Sequence, residues 1–164
     1  MSNPKAATMI EIAIPGYGSL ALDILMCDYN GTLARDGRLL DDVRVRLTDI
    51  ARVLRVQIVT GDTFATAREE LRGLPVEVVI LTADAQAEAK LELVKRHGAK
   101  TVAAVGNGRN DRLMLAEAAL GIGVIGDEGM ATEALIASDV VVRNISDALD
   151  LLREPRRLVA SLRA

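Results

Sequence analysis

Short apolar runs alternate with longer amphipathic stretches along nearly the whole chain. Residues 24–27, Ile-Leu-Met-Cys, read as a buried strand that runs straight into Asp28 and a polar loop holding Gly31. Residues 9–14 alternate weakly and are stopped by Pro15-Gly16-Tyr17-Gly18; with the apolar stretch from Leu20 they suggest an antiparallel hairpin. Asp41 and Asp42 open a helix that carries Val43, Val45, Leu47, Ile50, Ala51 and Leu54 at near-helical spacing. Residues 55–59 form the next strand and end at Thr60-Gly61-Asp62, where Asp62 or Thr63 caps a helix that runs through Leu71 and is broken by Gly73. A strand over 76–81 precedes a helix over 85–97, rich in Ala, Glu and Lys and ended by Gly98. A strand over 101–105 leads into Gly106-Asn107-Gly108-Arg109-Asn110-Asp111 and a helix to about 119. Strand 122–125 with helix 131–137, then strand 140–142 with a pair of helices, complete the series. Such alternation predicts an α/β fold with a doubly wound, mainly parallel sheet, in one domain over residues 1–164.

Composition sharpens the expected core. Half of the 164 residues are hydrophobic, yet there are only two Tyr, one Phe and no Trp. Val, Ile, Leu and Ala must fill the interior, as in parallel sheets covered by helices. The net charge of −3, from 23 acidic and 20 basic side chains, argues against nucleic acid or an anionic membrane as partner. Arg153, Arg156, Arg157 and Arg163 read as a solvated helix face. Cys27, the one cysteine, reads as a small core residue and suits a reducing compartment. No run approaches the roughly 20 apolar residues of a membrane span, and the N-terminus lacks the pattern of a signal peptide. The chain therefore reads as soluble and cytoplasmic.

Three polar groups directly follow strands and so share the carboxyl edge of the sheet, where open α/β folds bind ligands. They are Asp28 with its Gly-Thr loop, Thr60-Gly61-Asp62, and residues 106–111. Lys90 lies in the first turns of a helix that starts near that edge. Together they supply a carboxylate nucleophile, a hydroxyl beside backbone N–H donors, an ammonium and a second carboxylate. Phosphoryl transfer needs this combination of charge neutralisation and positioning. His97, the only histidine, falls at a helix C-terminus, where a cation is favoured, and outside the catalytic set. Asp127, Glu128 and Gly129 either cap the next helix or line the substrate approach. Arg35 and Asp36 read as turn residues with Gly37; Arg35, like Arg109, comes near enough to touch a substrate.

Asp28-Tyr29-Asn30-Gly31-Thr32 resembles the first motif, D-x-D-G-T, of the haloacid dehalogenase superfamily of phosphohydrolases. Ile58-Val59-Thr60 resembles the second motif, Lys90 the third, and Gly106-Asn107-Gly108-Arg109-Asn110-Asp111 the fourth, G-D-G-x-N-D. Val59-Thr60-Gly61-Asp62 and the fourth motif are similar to the phosphorylation domain of P-type cation ATPases. The resemblance implies that Asp28 attacks phosphorus and forms an aspartyl phosphate. It implies Mg²⁺ held by Asp28, Asp111 and the Asn30 backbone carbonyl. It places Asn30, Thr60, the Gly61 N–H, Lys90 and Asn110 on the phosphate, with Asn30, Thr60 and Lys90 as catalytic partners of Asp28 and with Asp62 orienting the second loop.

Two departures shape the expected chemistry. Asn30 stands where the phosphatases have the Asp that protonates the leaving group and later activates water, and a carboxamide cannot titrate. Asn107 replaces the first Asp of the fourth motif, which leaves fewer carboxylates for metal; a role as turn former is the other reading. No nucleotide-binding domain fits between Leu33 and Val59, and no sizeable cap fits between Asp62 and Lys90. Capless relatives take macromolecular substrates or close their sites by oligomerising, which makes the hairpin over 9–20 a candidate homo-oligomer interface. The expected activity is a slow Mg²⁺-dependent phosphohydrolase or phosphotransferase acting on a phosphorylated substrate. A non-enzymatic module that binds phosphate or a protein, or is itself phosphorylated, is the alternative. A response-regulator receiver is disfavoured, because receivers carry an acidic pair on the first strand and the phosphorylated Asp on the third.

Overall fold

The computed structural model describes residues 9–61 and 66–164. Strands β1 (Ile10–Ile14) and β2 (Gly18–Leu22) pair antiparallel, Ile10 opposite Leu22, as the expected hairpin. Strand β3 (Ile24–Asp28) follows, then a two-rung ribbon of β4 (Ala34–Arg35) and β5 (Arg38–Leu39). This ribbon stands where the sequence alone predicts only turn residues at Arg35, Asp36 and Gly37. It turns through Asp36 and Gly37, both with positive φ (51° and 79°), the conformation that two-residue hairpin turns require.

Helix α1 (Val43–Ile50), β6 (Arg55–Thr60), α2 (Thr66–Glu70), β7 (Glu77–Ile80) and α3 (Gln86–His97) come next. They are followed by β8 (Val102–Gly106), α4 (Arg112–Glu117), β9 (Leu120–Val124), α5 (Thr132–Ala137), β10 (Val140–Val142), α6 (Ile145–Arg153) and α7 (Pro155–Leu162). Most boundaries differ from expectation by a residue or two: β7 is shorter at both ends, and β9 begins at Leu120. Helix α1 departs further, stopping at Ile50, so Ala51 and Leu54 of the expected helix lie beyond it. The helix cap expected at Asp62 or Thr63 lies outside the described residues.

Six strands form one sheet in the order β10-β9-β8-β3-β6-β7, and all five neighbouring pairs are parallel. The chain leaves β3 toward β6 and β7, then returns to the other side of β3 for β8, β9 and β10. Strand order reverses at β3, so the crevice beyond its carboxyl end is the topological switch point of the sheet. Every residue of β3, β8 and β9 is buried. This is why these strands read as continuous apolar runs and not as alternating ones.

Two apolar cores cover the two faces. Leu25 and Cys27 of β3 join the hairpin, α1, α6 and α7 through Ile12, Leu22, Leu47, Leu149 and Leu158. Ile24 and Met26 join α3, α4 and α5 through Val94, Met114, Leu115 and Ala134. By strand parity Asp28 shares the side of Ile24 and Met26, the face that α3 covers. The hairpin buries Ile12, Ile14, Leu20 and Leu22 in its own chain. Its outer face presents Glu11, Ala13 and the half-exposed Tyr17.

The basic cluster near the C-terminus is only partly solvated. Arg153 bonds both Asp150 (2.7 Å) and Asp49 (2.8 Å), while Arg46 of α1 grips both oxygens of Asp150 at 3.1 Å. His97 sits at 3.2 Å from Gln57, a buried polar side chain in β6. Burial, then the nearby Arg55 charge, lower its pKa, so the neutral ring is favoured there despite the helix C-terminus. No helix among the described residues is long and apolar enough to cross a membrane.

Candidate active site

Asp28 ends β3, and the chain then folds back in a tight turn. The Tyr29 carbonyl accepts from the N–H groups of Thr32 (3.2 Å), Leu33 (2.9 Å) and Ala34 (3.0 Å). Tyr29 is fully buried, and its hydroxyl donates to the Gly37 carbonyl at 2.9 Å, which ties the turn to the β4–β5 ribbon. Thr32 donates to Asp28 Oδ2 at 3.1 Å and lies 3.2 Å from the side-chain oxygen of Asn107. The sequence presents Tyr29 as a spacer and Thr32 as the end of a motif; Tyr29 anchors eight positions on at Gly37, and Thr32 bonds both Asp28 and Asn107, 75 positions away.

Lys90 is the electrostatic centre. Its side chain is wholly buried, and Nζ donates to Asp28 Oδ1 at 2.7 Å and to Asp111 Oδ1 at 2.6 Å. Two carboxylates more than eighty positions apart in sequence thus converge on one ammonium. Asp111 is held from behind: its Oδ2 accepts the backbone N–H groups of Asn107 (3.0 Å) and Gly108 (2.9 Å). It can fold back this far because residue 106 is glycine. A Cβ there would stand 2.5 Å from the Asp111 carboxyl carbon.

Burial and the Asp111 charge push the Asp28 carboxyl up, to about 7, against the opposing pull of Lys90 and Thr32. Burial alone would lower the Lys90 pKa, but the two carboxylates outweigh it and the net direction is up. The neighbouring Cys27 thiol is raised by burial and then by the same two carboxylates, so it stays protonated and inert.

One ammonium between two buried carboxylates leaves the site short of positive charge. Asp28 and Asp111 are hard oxygen donors, each with lone pairs left beyond the bonds described. Mg²⁺ is commonly held by one or two carboxylates, with water and substrate phosphate completing the shell. The donor set therefore fits such an ion. Among the described residues no third His, Cys, Asp or Glu joins the pair.

Thr60 ends β6 beside β3 and is buried. Gly61 follows it, and a Cβ at Gly61 would stand 2.1 Å from Nε2 of Gln86. Asn110 donates from Nδ2 to Gln86 Oε1 at 3.0 Å. Asn30 is exposed at the rim, and Asp62 lies outside the described residues. The structure thus gathers Asp28, Thr32, Lys90 and Asp111, with Thr60 on the adjacent strand and Asn110 beside Gln86. Gln86 escaped the sequence reading, although its place four residues before Lys90, on the same helix face, was the available signal.

Asn107 bonds Thr32 and, more weakly, the Gly129 carbonyl at 3.4 Å. Its side chain fastens the 126–129 loop to the nucleophile turn. Within that loop Asp127 pairs with Arg35 across the mouth, and the Glu128 carboxylate lies 2.6 Å from where a Gly31 Cβ would be. Neither caps α5, whose N-cap is Ala131. They line a cavity of about 120 Å³ together with Thr32 and Arg143. Arg109 pairs with Glu133 at 3.1 Å.

No protein-family model matches the chain. It is 51% identical over 72 residues to the uncharacterized protein MJ0073 of Methanocaldococcus jannaschii, covering 44% of this chain and 77% of that protein. Copper-transporting ATPase 2 of Rhizobium meliloti is 38% identical over 91 residues, 54% of this chain, and the match spans only 10% of the ATPase. Among solved structures, 3-deoxy-D-manno-octulosonate 8-phosphate phosphatase from Moraxella catarrhalis, in complex with magnesium, phosphate and KDO, superposes with a TM-score of 0.64. That superposition covers 87% of this chain and 94% of the phosphatase at 16% identity, a likeness of fold. The chain therefore has the fold of this phosphatase and contains a stretch similar in sequence to P-type ATPases, and its described residues include no large cap domain.

Proposed function

We propose that the protein is a Mg²⁺-dependent phosphohydrolase that works through an aspartyl phosphate on Asp28. The observation that carries this reading is Lys90 Nζ within 2.7 Å of Asp28 and 2.6 Å of Asp111 at the switch point of the sheet. An Asp28 oxygen attacks phosphorus, and the bond to the leaving group breaks with its electron pair going to the leaving oxygen. Lys90 neutralises the charge shared by nucleophile and phosphoryl group, and Thr60, the Gly61 N–H and Asn110 orient the phosphoryl oxygens. A divalent ion held by Asp28, Asp111 and the Asn30 carbonyl would supply Lewis-acid charge stabilisation. Water then cleaves the aspartyl phosphate and releases inorganic phosphate.

Asn30 offers no proton for the leaving oxygen and cannot deprotonate the attacking water. General acid–base help is worth about 10²–10⁴-fold, so alkyl monoesters turn over slowly in this scheme and acyl phosphates faster. The buried free thiol of Cys27 supports a cytoplasmic setting. Incubation with Mg²⁺ and acetyl phosphate should release phosphate, and Asp28→Asn should abolish that release. Equal rates for the parent and the variant would defeat the proposal.

The exposed carboxamide of Asn30 also favours a second reading, in which Asp28 is phosphorylated as a lasting switch. Intact-mass measurement of a phosphoryl adduct that persists without phosphate release would select that reading.

A further inference from the structure

Gln86 opens α3 one turn before Lys90, so both side chains leave the helix on the same face. The preceding Ala85 is left-handed (φ 54°), a conformation that non-glycine residues rarely adopt. The Gln86 carboxamide lies over Gly61, where its nitrogen fills the space a side chain at 61 would need. Its oxygen accepts from Asn110 at 3.0 Å. It therefore connects the loop after β6 with the loop after β8, between the two backbone segments that the proposed reaction assigns to phosphate. Gln86 and Asn110 also line a cavity of about 370 Å³ with Ala83, Arg109 and Arg112, which opens the pair to solvent.

Building on the phosphohydrolase reading, we infer that Gln86 is a phosphoryl-binding residue. Its Nε2 amide, already turned onto Gly61, donates to a phosphoryl oxygen. Asn110, released from Gln86 Oε1, donates to the same group. The bond between Asn110 and Gln86 is thus exchanged for two bonds to an anion. The exchange costs only one neutral hydrogen bond.

Gln86→Glu separates this role from a structural one. A carboxylate preserves the oxygen that accepts from Asn110 but removes the donor and adds a charge repelled by phosphate. Competitive inhibition by orthophosphate, with Mg²⁺ present and acetyl phosphate as substrate, is the readout, together with calorimetric binding of orthophosphate to the Asp28→Asn protein. Gln86→Ala should weaken orthophosphate by about tenfold, the loss of one hydrogen bond to a charged acceptor. Gln86→Glu should weaken it further while its thermal midpoint stays near that of the parent. Parent-like orthophosphate affinity in Gln86→Glu would overturn the inference and leave the phosphohydrolase reading standing. Should Gln86→Ala fail to fold, Gln86→Glu and Gln86→Met carry the same comparison. A parent protein that shows neither orthophosphate binding nor Asp28-dependent turnover overturns both.

Discussion

Burying an ammonium costs several kcal/mol, and the cost is recovered only when its partners are close and well bonded. Lys90 meets that condition with two carboxylates at 2.6–2.7 Å, and neither would be stable so deep without it. Lys90→Met should therefore lower unfolding stability by about 3–5 kcal/mol in metal-free urea titrations, and added Mg²⁺ should restore part of the loss by mass action. An unchanged midpoint would mean the three groups do not meet as described. Asn30 is a separate matter, because its effect concerns proton transfer and not folding. Asn30→Asp should raise hydrolysis of an alkyl phosphate monoester by about 10²-fold or more. It should change acetyl phosphate hydrolysis far less, since that leaving group needs no acid. At this scale Asp28 and Asp111 were legible as candidates by their place after strands, and Lys90 by its place in the first turns of a helix near the same edge. The sequence did not show that Thr32 meets Asn107 or that Gln86 meets Asn110, because those partners lie 75 and 24 positions apart in the chain.

At the scale of elements, close packing explains positions that look interchangeable in the sequence. Gly121 and Gly123 both lie in β9, two residues apart and on the same side. A Cβ at Gly121 would stand 2.3 Å from the Leu115 backbone carbonyl of α4, which cannot yield without moving the helix. A Cβ at Gly123 would meet the tip of the Met130 side chain at 2.3 Å and the Ser138 hydroxyl at 2.6 Å, and a methionine tip can turn away. Gly121→Ala should cost about 1–3 kcal/mol in thermal or urea unfolding, and Gly123→Ala clearly less. Equal costs would refute the packing described for α4 on β9. The strands themselves were legible as apolar runs, since burial on both faces leaves no room for polar residues. The β4–β5 ribbon was not, because two-residue strands are too short for any period to appear; only Asp36-Gly37 hinted at it.

Across the whole molecule, α1 and α6 are joined by a charge network that spans 104 positions. Arg46 holds Asp150 through Nε and Nη2, each at 3.1 Å, and Arg153 links Asp150 to Asp49. Burial alone would raise the Asp150 pKa, but the bonds from Arg46 and Arg153 outweigh it and hold the carboxyl below its ordinary value. A depressed folded-state pKa contributes stability above the unfolded value near 3.8, and that contribution is lost as pH falls through the folded value. Urea midpoints of the parent should therefore drop below about pH 4, and Asp150→Asn should show a shallower drop from a lower plateau. Identical acid limbs in the two proteins would remove the network from the stability account.

The order of strands and helices, the apolar character of the sheet and the presence of a carboxylate at its edge were determined by the chain alone. Each follows from local rules: period, turn residues, and the burial that an apolar run demands. Tertiary structure alone decided that β8 returns to the far side of β3, which brings Asp111 beside Asp28. It also decided that Gln86 reaches across to Gly61 and Asn110, and that Arg46 meets Asp150. Those pairings depend on distances between residues 24 to 104 positions apart. No local period encodes them, because such distances exist only once the sheet has closed around its switch point.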